Sequence, residues 1–498
     1  MGYRFLHKSY KTRRCSYVST GDRIMKIAFV VPEAVPYIKT GGLGDVAGTL
    51  PVYLTKLGFN TILILPLYKT IKDKNLELEL VEKGDVKIGE RALPFSIYKH
   101  KEAQVYFIEN DEFFFRESPY NTKEGDYPDN YIRFAFFSKV SLDFIVKKGD
   151  IDVIHVHDWQ TSILPVYKEL FYPNSKEKVV LTIHNIGYQG IFPKDVLKEI
   201  SIPPSLLTID GLEFYGNVNY LKGGILFSDC VTTVSPSYAK EIQTKEYGFG
   251  LEGILRKVRR KLFGIINGID YSYWNPKVDK FIKVNYGKDS IDNKKLENKK
   301  LLFEELNLNF PLSLPLFSLI SRLVSQKGID ILIEGFDDIM KLPLNFVLLG
   351  TGDKKFEEKL MSLGEKYRSK FIPLIKFDEG LAHRIYAASD FFLMPSKFEP
   401  CGLGQMIALR YGTVPIVRRT GGLKDTIQDY HEKTNCGNGI SFDEYDSFDL
   451  IKSVERGVKI FREGKSYKKI QEIGMNCDYS WDSSAKEYLN LYRRLKEE

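Results

Sequence analysis

Residues 36–51 read PYIKTGGLGDVAGTLP, and they stand between an apolar run, Ile27–Val31, and a helical pattern, Asp45–Leu57. This order of strand, glycine-rich turn and helix predicts the start of a doubly wound α/β domain. The free N–H groups at the helix start favour an anion, and the charge of Lys39 beside them suits a phosphate group. The turn does not match the pattern GxGxxG, so a purely structural role remains open. The turn residues that we expect to bind a ligand are Lys39, Gly41, Gly42, Gly44 and Asp45.

Short β-rich runs alternate with amphipathic stretches along most of the chain, which is typical of βαβ units and parallel sheets. A polar stretch, Asn275–Lys300, interrupts this alternation. Two successive Rossmann-like domains, residues 25–265 and 266–475, are the simplest account of the pattern. The apolar spacing from Trp481 to Leu495 predicts an amphipathic helix, within residues 476–498, that must dock on another element. The predicted strands are Ile27–Val31, Thr61–Leu67, Val105–Ile108, Val153–Val156, Val179–Ile183, Cys230–Val234, Phe263–Ile266, Leu316–Ile320, Phe346–Leu349, Phe371–Lys376, Phe391–Met394 and Val414–Val417.

The composition is that of an ordinary globular protein of 498 residues, with 43% hydrophobic and 28% charged residues. No apolar run approaches the roughly 20 residues that a membrane-spanning helix needs. Five scattered cysteines without a CxxC pair favour a reduced, cytoplasmic setting, with neither a zinc site nor a disulfide framework.

The formal net charge of +7 is concentrated in residues 1–24, where six basic residues face one aspartate. Because the rest of the chain is nearly balanced, its composition does not demand a nucleic-acid or membrane partner. Three interpretations of the basic head remain open: sequence upstream of a true start at Met25, a disordered tail, or a short organellar presequence.

Two polar groups follow predicted strands of the first domain, at the sheet edge where ligands of such folds bind. His155 and His157 alternate along one strand, and Asp158 comes directly after it. With seven histidines in all, the chain does not favour a metallohydrolase. A buried structural histidine with Asp158 as a helix cap therefore competes with a sugar-binding carboxylate. His184 and Asn185 stand at the end of another strand. Together with the other polar groups at strand ends, they favour a functional role over a structural one.

In the second domain, Arg322 and Lys327 share one loop. Two cations so close together are costly unless an anion or a carboxylate lies between them, and the alternative is a solvated loop with no partner. Glu399 is either a sugar-binding carboxylate or a simple helix cap. Cys401 has no nearby base, so we reject it as a nucleophile. The chain thus has cations for a diphosphate, glycine N–H groups for its oxygens, and carboxylates and amides for hydroxyls, which together indicate a nucleotide-sugar site.

Eight motifs follow one another along the sequence: KTGGLGDVAG, HVHDW, TIHNIGYQGIF, EFYGNVNYLKGGILFSDCVTTVSPSYA, INGID…WNP, SRLVSQKGID, FEPCGLGQMIALRYGTVPIVRRTGGLKDT and YSWDSSAKEYLNLYRRL. In these motifs the chain resembles the family of bacterial glycogen synthase and plant starch synthase. The resemblance runs in order from about Met25 to the C-terminus, and residues 1–24 fall outside it.

The resemblance implies two Rossmann-like domains facing each other across a cleft, the arrangement called GT-B, with the terminal helix crossing back to the first domain. It also implies transfer of glucose from ADP-glucose to the non-reducing 4-hydroxyl of an α-1,4-glucan, with retention, which elongates glycogen. The implied catalytic residues are Lys39, His184, Arg322, Lys327 and Glu399. The implied substrate-binding residues are Lys39, Gly41, Gly42, Gly44, Asp45, Tyr120, Asp158, Asn185, Asn267, Arg322, Lys327, Phe377, Glu399, Cys401, Gly402, Leu403, Gly404, Thr420, Gly421 and Gly422.

Retention normally indicates a double displacement through a carboxylate nucleophile, and none is evident here. The family is thought to use front-face attack, in which the departing phosphate accepts the proton of the acceptor hydroxyl. The resemblance implies neither a metal nor another cofactor. Two positions depart from the pattern. Gly44 stands where relatives often have alanine, and Phe377 stands where some have a tyrosine that stacks on adenine.

Two alternatives remain. One is another retaining GT-B transferase that uses UDP-glucose, of the sucrose or trehalose synthase type. The other is a non-catalytic glucan-binding protein on the same fold. The sequence does not determine the oligomeric state.

Overall fold

Runs of Val, Ile, Leu and Phe between polar turns form the central strands, because such residues suit a sheet that is covered on both faces. The structure is a computed structural model that describes residues 24–497. The basic head therefore lies outside the described residues, apart from Ile24. Among the described residues, no helix combines the length and the apolar character that crossing a membrane requires.

The strands of the described chain are β1 Lys26–Val30, β2 Asn60–Pro66, β3 Leu78–Ile88, β4 Arg91–His100, β5 Val105–Glu109, β6 Asn121–Thr122, β7 Gly125–Asp126, β8 Val153–His157, β9 Lys178–Ile183, β10 Ile191–Pro193, β11 Glu213–Phe214, β12 Asn217–Asn219, β13 Cys230–Thr233, β14 Leu262–Gly264, β15 Leu316–Ile320, β16 Asn345–Leu349, β17 Phe371–Leu374, β18 Phe391–Met394, β19 Val414–Arg418 and β20 Ile440–Phe442.

The α-helices are α1 Gly42–Lys56, α2 Lys69–Lys72, α3 Asp111–Phe114, α4 Asn130–Lys148, α5 Asp158–Thr161, α6 Leu164–Phe171, α7 Val196–Glu199, α8 Tyr220–Phe227, α9 Pro236–Glu241, α10 Glu252–Lys257, α11 Ile291–Glu305, α12 Ile329–Glu334, α13 Phe336–Ile339, α14 Lys354–Lys366, α15 Glu379–Ala388, α16 Gly404–Arg410, α17 Gly421–Thr426, α18 Ser447–Glu463, α19 Lys465–Asn476 and α20 Trp481–Glu497.

The chain divides into two compact units. Within the described chain, the first unit holds residues 24–234, Ala239–Ile265 and residues 481–497. The second holds Ser235–Tyr238 and Ile266–Ser480.

The first unit is built on a nine-stranded sheet in the order β14-β13-β9-β8-β1-β2-β5-β4-β3. The strands from β14 to β5 pair in parallel, and the chain order reverses between β1 and β8. In open sheets of this kind, ligands bind outside the carboxyl ends of the strands at such a reversal.

The second unit has a six-stranded parallel sheet in the order β17-β16-β15-β18-β19-β20. This is the doubly wound order of a dinucleotide-binding fold, with its reversal between β15 and β18. The sequence-based prediction of α/β units with parallel sheets is confirmed.

Two parts of the predicted alternation are wrong. β3 and β4 form an antiparallel hairpin that adds to the edge of the first sheet, and neither strand is among those predicted from the sequence. Their outer positions are mostly charged, as in LELVEKGDVKI, so they carry no buried apolar run.

The interruption predicted at Asn275–Lys300 contains most of α11. The buried positions of this helix begin with Lys295, Asn298 and Lys299, and only then reach Leu302 and Phe303. The buried polar side chains of the helix donate hydrogen bonds to backbone carbonyls and to Asp390. Polar residues therefore occupy core-facing positions, and the sequence lacks the apolar spacing by which a helix is recognised.

Candidate active site

The turn after β1 is held from inside by a carboxylate of its own unit, which engages the N–H groups of Thr40 and Gly44. The carboxylate of Glu33 accepts hydrogen bonds from the backbone N–H and the hydroxyl of Thr40, both at 2.6 Å, and from the N–H of Gly44 at 3.2 Å. Glu33 is 2% exposed, and burial raises its pKa. The helix also begins earlier than predicted, at Gly42 rather than Asp45.

Lys39 lies on the outside of this turn, where its ammonium forms an ion pair with Asp45 at 2.8 Å. Both side chains are partly exposed, so water and a ligand can reach them. Tyr120 lies on the buried side and hydrogen-bonds Thr40, which links it to Glu33. Gly42 has open space where a side chain would stand, a methyl group on Gly41 would lie 4.0 Å from Oε1 of Glu33, and one on Gly44 would come within 3.3 Å of Lys39.

Three histidines line the end of β8 and the residue after β9. His155 and His157 stack with ring centroids 4.3 Å apart, and Nδ1 of His157 lies 2.9 Å from Nε2 of His184. His155 contacts Thr182 at 2.6 Å through Nε2 and the hydroxyl of Tyr492 at 2.7 Å through Nδ1. His155 is therefore a buried structural histidine, as one of the two predictions has it, because both of its ring nitrogens have partners.

Burial lowers the pKa of His155 and of His184 to about 3, and lowers that of His157 well below its ordinary value. All three rings are therefore neutral at neutral pH. Nε2 of His157 is buried and has no partner among the described residues. A buried N–H without an acceptor is costly, so the network assigns the His157 proton to Nδ1, which donates to His184. The proton of His184 then sits on its Nδ1.

Asp158 does not cap its own helix, which corrects the structural alternative. Its Oδ1 accepts the backbone N–H of His184 at 2.7 Å, and its carboxylate also accepts from Asn185. Asp158 has a positive φ of 54°, an uncommon conformation for a residue other than glycine. Burial raises its pKa to about 7. Asp158 thus ties the ends of two parallel strands together and holds His184 in place.

In the second unit, Lys327 and Glu399 form a short ion pair, with Nζ and Oε2 2.5 Å apart. The Glu399 side chain is 6% exposed, and Ser396 also donates to it, at 3.1 Å. The solvated-loop alternative is therefore wrong for Lys327, whose carboxylate partner is Glu399. Arg322 is exposed, and its guanidinium has no ion-pair partner within residues 24–497.

Two backbone turns interlock behind this pair. The N–H of Gly422 donates to the carbonyl of Glu399 at 3.0 Å. A methyl group on Gly421 would lie 2.0 Å from that carbonyl oxygen, and one on Gly422 would lie 2.2 Å from the carbonyl of Cys401. Gly421 and Gly402 both have positive φ values. Glycine is therefore required here because the two chain segments touch.

The remaining predicted residues of the second unit fall into buried and exposed sets. Thr420 and Asn267 are buried, and Oδ1 of Asn267 has no partner among the described residues. Cys401 is also buried, and burial raises the pKa of its thiol to about 12, in line with its rejection as a nucleophile. Phe377 follows β17 and is 88% exposed, so its ring is open to stacking.

The structure brings together Lys39, Gly41, Gly44, Asp45 and Tyr120 at one turn. It groups Asp158, His184 and Asn185 at neighbouring strand ends, and Lys327, Glu399 and the glycine turns in the second unit. Glu33 and Thr40 are not among the residues predicted from the sequence, and His157 is singled out there without a role in the site. An acidic residue in the otherwise apolar VVPEAVP was the one available signal for Glu33. No group of three or more His, Cys, Asp or Glu side chains within residues 24–497 is arranged to hold a metal ion.

Comparison with known proteins adds sequence evidence. A family model described as starch synthase catalytic domain matches residues 26–257, and one described as glycosyl transferases group 1 matches residues 305–474. The glycogen synthase of Thermosipho africanus (strain TCF52B) is 46% identical over 486 residues, which cover 94% of this chain and 99% of that protein. The glycogen synthase of Thermotoga maritima is 44% identical over 490 residues, with coverage of 94% and 99%.

Solved structures of glycosyltransferases are similar to this chain as well. The catalytic domain of starch synthase IV from Arabidopsis thaliana, bound to ADP and acarbose, superposes with a TM-score of 0.86 and 34% identity, covering 96% of this chain and 100% of that one. Sucrose-phosphate synthase from Thermosynechococcus elongatus gives a TM-score of 0.60 at 16% identity, covering 95% and 99%, which is a likeness of fold alone.

Proposed function

The chain belongs to the glycogen and starch synthase family of glycosyltransferases, and we propose that it takes glucose from ADP-glucose and adds it to the non-reducing 4-hydroxyl of an α-1,4-glucan. The starch synthase IV structure was solved with ADP, which supports an adenosine nucleotide as the leaving group here. The proposed setting is the cytoplasm, supported by five scattered cysteines without a CxxC pair in the sequence.

The observation that carries this proposal is the buried Lys327–Glu399 pair beside the glycine turns. A buried ion pair is weak evidence for stability, because desolvation offsets most of its attraction. A lysine and a carboxylate at the reversal point of a doubly wound sheet instead supply complementary groups for a phosphate and for sugar hydroxyls. A nucleotide-sugar donor carries phosphates and sugar hydroxyls, so it can bind Lys327 through a phosphate and Glu399 through a hydroxyl.

We assign leaving-group stabilisation to Lys327 and Arg322, which offset the negative charge that develops on the distal phosphate of ADP. Glu399 and the backbone amides from Cys401 to Gly404 hold the glucose hydroxyls. Phe377 stacks on adenine.

In the first unit, Lys39 and the turn that Glu33 supports bind donor, and Tyr120 lines the sugar end. His184, held by Asp158 and His157, lies at the reacting centre with Asn185 beside it. Its neutral ring presents the Nδ1–H as a hydrogen-bond donor. The departing phosphate accepts the proton of the acceptor hydroxyl on the same face of the sugar, which preserves the configuration. The proposal needs neither a metal nor another cofactor.

The test is a side-by-side assay of the purified protein with glycogen and either ADP-glucose or UDP-glucose, following release of the nucleoside diphosphate. We expect a much higher kcat/KM with ADP-glucose and no change on addition of EDTA. Faster turnover of UDP-glucose would contradict ADP-glucose as the donor and support the alternative of a UDP-glucose-dependent transferase. Binding of glycogen without turnover of either donor would support the non-catalytic alternative.

A further inference from the structure

Helix α4 of the first unit carries two buried polar side chains in its first turn, Asn130 and Arg133. Asn130 is 2% exposed, and Arg133 is fully buried. A guanidinium that is removed from water is costly unless a carboxylate lies beside it, and no carboxylate forms an ion pair with Arg133 within residues 24–497. Such an unpaired charge is weak evidence for stability, so its place in the core points to a group that it orients.

The guanidinium of Arg133 is fixed by a carbonyl, an amide and an aromatic ring. Its Nε donates to the carbonyl of Phe113 at 2.8 Å, and its Nη1 donates to Oδ1 of Asn130 at 2.5 Å. The guanidinium carbon lies 4.9 Å from the centre of the Tyr127 ring, which is close enough for a cation–π contact. The third nitrogen, Nη2, is buried without a partner among the described residues. The surroundings of Arg133 therefore fix its orientation and leave part of its hydrogen-bonding capacity unused.

Arg133 decides which way the side-chain amide of Asn130 faces. An amide group has an accepting oxygen and a donating nitrogen of nearly the same shape, whereas a guanidinium can only donate. Oδ1 of Asn130 must therefore face Arg133, and its Nδ2 faces the other way, where it donates to the carbonyl of Tyr120 at 2.9 Å. A charge in the core thus directs a hydrogen-bond donor at a residue of the candidate site.

Tyr120 depends on this contact because the chain beyond it is exposed. All residues from 121 to 126 are exposed, so they give Tyr120 no support from packing. The other hydrogen bond to its carbonyl comes from the N–H of Tyr127, at 3.1 Å, at the far end of the same loop. The Tyr120 ring lies 6.0 Å from that of Phe134, which also belongs to α4. Helix α4 is therefore the rigid element that holds Tyr120.

The position of Tyr120 matters because this residue links two parts of the candidate site. Its hydroxyl hydrogen-bonds Thr40 in the glycine-rich turn. Burial, together with the charges of Glu33 and Asp158, raises the pKa of the same hydroxyl well above its ordinary value. A shift of Tyr120 therefore alters contacts at the turn and at the strand ends alike.

We propose that Asn130, oriented by Arg133, is a positioning residue for glucose transfer, an inference that rests on the proposed function. Through the carbonyl of Tyr120, it sets the Tyr120 ring at the sugar end of the donor. Asn130 acts through Tyr120 and not on the substrate itself. Such positioning matters for rate, since a displacement of about 1 Å near the reacting groups can cost roughly 100-fold.

The test is Asn130→Asp in the full chain. The carboxylate keeps an acceptor for Arg133, and as the first residue of α4 it also interacts favourably with the helix dipole. It cannot donate to the Tyr120 carbonyl. We therefore expect a urea midpoint at or above that of the parent and a kcat/KM for ADP-glucose, with glycogen in excess, that falls roughly 10–100-fold. Parental kcat/KM in this variant would overturn the proposal.

Asn130→Ala separates the lost donor from the added charge, since a carboxylate near an anionic substrate can slow the reaction by repulsion alone. Alanine also favours the helix, so this variant provides a second folded test. It should lose kcat/KM to a similar extent. Parental kinetics in Asn130→Ala would assign the effect of Asn130→Asp to charge and contradict the positioning role.

A double-mutant cycle with Tyr120→Ala shows whether Asn130 acts through the Tyr120 ring. Tyr120→Ala alone should lower kcat/KM, and adding Asn130→Ala should lower it by less than about threefold further, because the ring that Asn130 sets is already absent. Equal losses from Asn130→Ala in both backgrounds would refute the proposal, because a general weakening of the fold acts whether or not the ring is present.

The matched control is Asn298→Asp in the second unit. Asn298 is 6% exposed, and its Nδ2 donates to the carbonyl of Val284 at 2.8 Å, so the same substitution removes the same kind of bond. This variant should keep the parental kcat/KM, and a loss like that of Asn130→Asp would count against the positioning role. A parent that turns over UDP-glucose but not ADP-glucose would refute the donor assignment only, and the same comparisons then use UDP-glucose. A parent without turnover of either donor refutes the proposed function and this inference with it.

Discussion

At the scale of single residues, Lys327 is the sharpest test of the chemistry. Lys327→Ala removes the cation that pairs with Glu399 and that we assign to the leaving phosphate. Such a charge-assisted contact is worth about 3–4 kcal/mol in the transition state, so kcat with ADP-glucose and glycogen is expected to fall roughly 10²–10³-fold. Steady-state kinetics with both substrates varied provides the measurement.

The control for this variant is Lys397→Ala, an exposed lysine two residues from Glu399. It should keep the parental kcat. Urea unfolding of both variants distinguishes lost chemistry from lost folding, because Lys327→Ala also leaves a buried carboxylate unpaired. Parental kcat in a folded Lys327→Ala protein would contradict the assignment.

Asp158 gives a prediction about pH. Its pKa in the folded protein is about 7, against an ordinary value of 3.8. The folded state therefore carries a penalised charge above pH 7, and the penalty fades as the pH falls toward 4, because the folded state takes up a proton that the unfolded state does not. Asp158→Asn keeps one oxygen for the His184 N–H and offers one acceptor fewer to the two N–H groups that the carboxylate binds. Relative to the parent, this variant should gain stability as the pH rises from 5.5 to 8, by up to about 4 kcal/mol.

Urea unfolding at pH 8 and pH 5.5 checks this sign, and the gain should shrink at the lower pH. Asp73→Asn, at an exposed aspartate, should show no gain of this kind. A gain that grows on acidification would be inconsistent with a raised pKa at Asp158.

At the scale of elements, the C-terminal helix α20 connects to strand β8 through one hydrogen bond. The Tyr492 hydroxyl lies 2.7 Å from Nδ1 of His155, and both residues are fully buried. Tyr492→Phe leaves a buried ring nitrogen without its partner, which should lower the free energy of unfolding by about 1–3 kcal/mol. Equilibrium urea unfolding at constant pH measures the difference.

Tyr68→Phe is the matched control, because the Tyr68 hydroxyl is buried and has no partner within residues 24–497. Its removal should be neutral or slightly stabilising. Equal losses in the two variants would show that the hydroxyl of Tyr492 contributes no specific bond.

At the scale of the whole molecule, the first unit is completed by residues that are last in the sequence. Helix α20 packs on α1 and buries Trp481, Tyr488, Tyr492 and Leu495. Each large apolar side chain contributes about 1.5–3 kcal/mol on burial, so four together rival the stability of a typical domain, about 5–15 kcal/mol. A chain that ends at Ser480 should therefore fail to fold its first unit cooperatively, as seen in near-ultraviolet circular dichroism and urea unfolding.

The control for the truncation ends the chain at Leu495, which removes only residues beyond the last buried side chain. It should unfold like the full chain. A cooperative transition of parental midpoint in the chain ending at Ser480 would show that α20 is dispensable.

The amino-acid sequence by itself determined the α/β class, most strand positions, the terminal helix and the family, because these depend on local period, turn chemistry and motif spacing. It also placed Asp158, His184, Lys327 and Glu399 at strand ends, where residues next to apolar runs are easy to find. Helix α11 was not predicted, because its first core-facing positions are lysines and an asparagine, and the partner of Lys299, Asp390, is distant in the sequence.

Only the tertiary structure decided which of these groups meet. Glu33 accepts hydrogen bonds from Thr40 in the glycine-rich turn, Lys327 pairs with Glu399 across 72 positions of the sequence, and Tyr492 bonds His155 across 337. The physical reason is that the fold sets these distances: a parallel sheet brings the carboxyl ends of β15 and β18 to one edge, and helix α20 packs back on the first unit, whatever the separation along the chain. A hydrogen bond or ion pair at that edge depends on atoms within about 3 Å, a distance that spacing in a sequence does not specify.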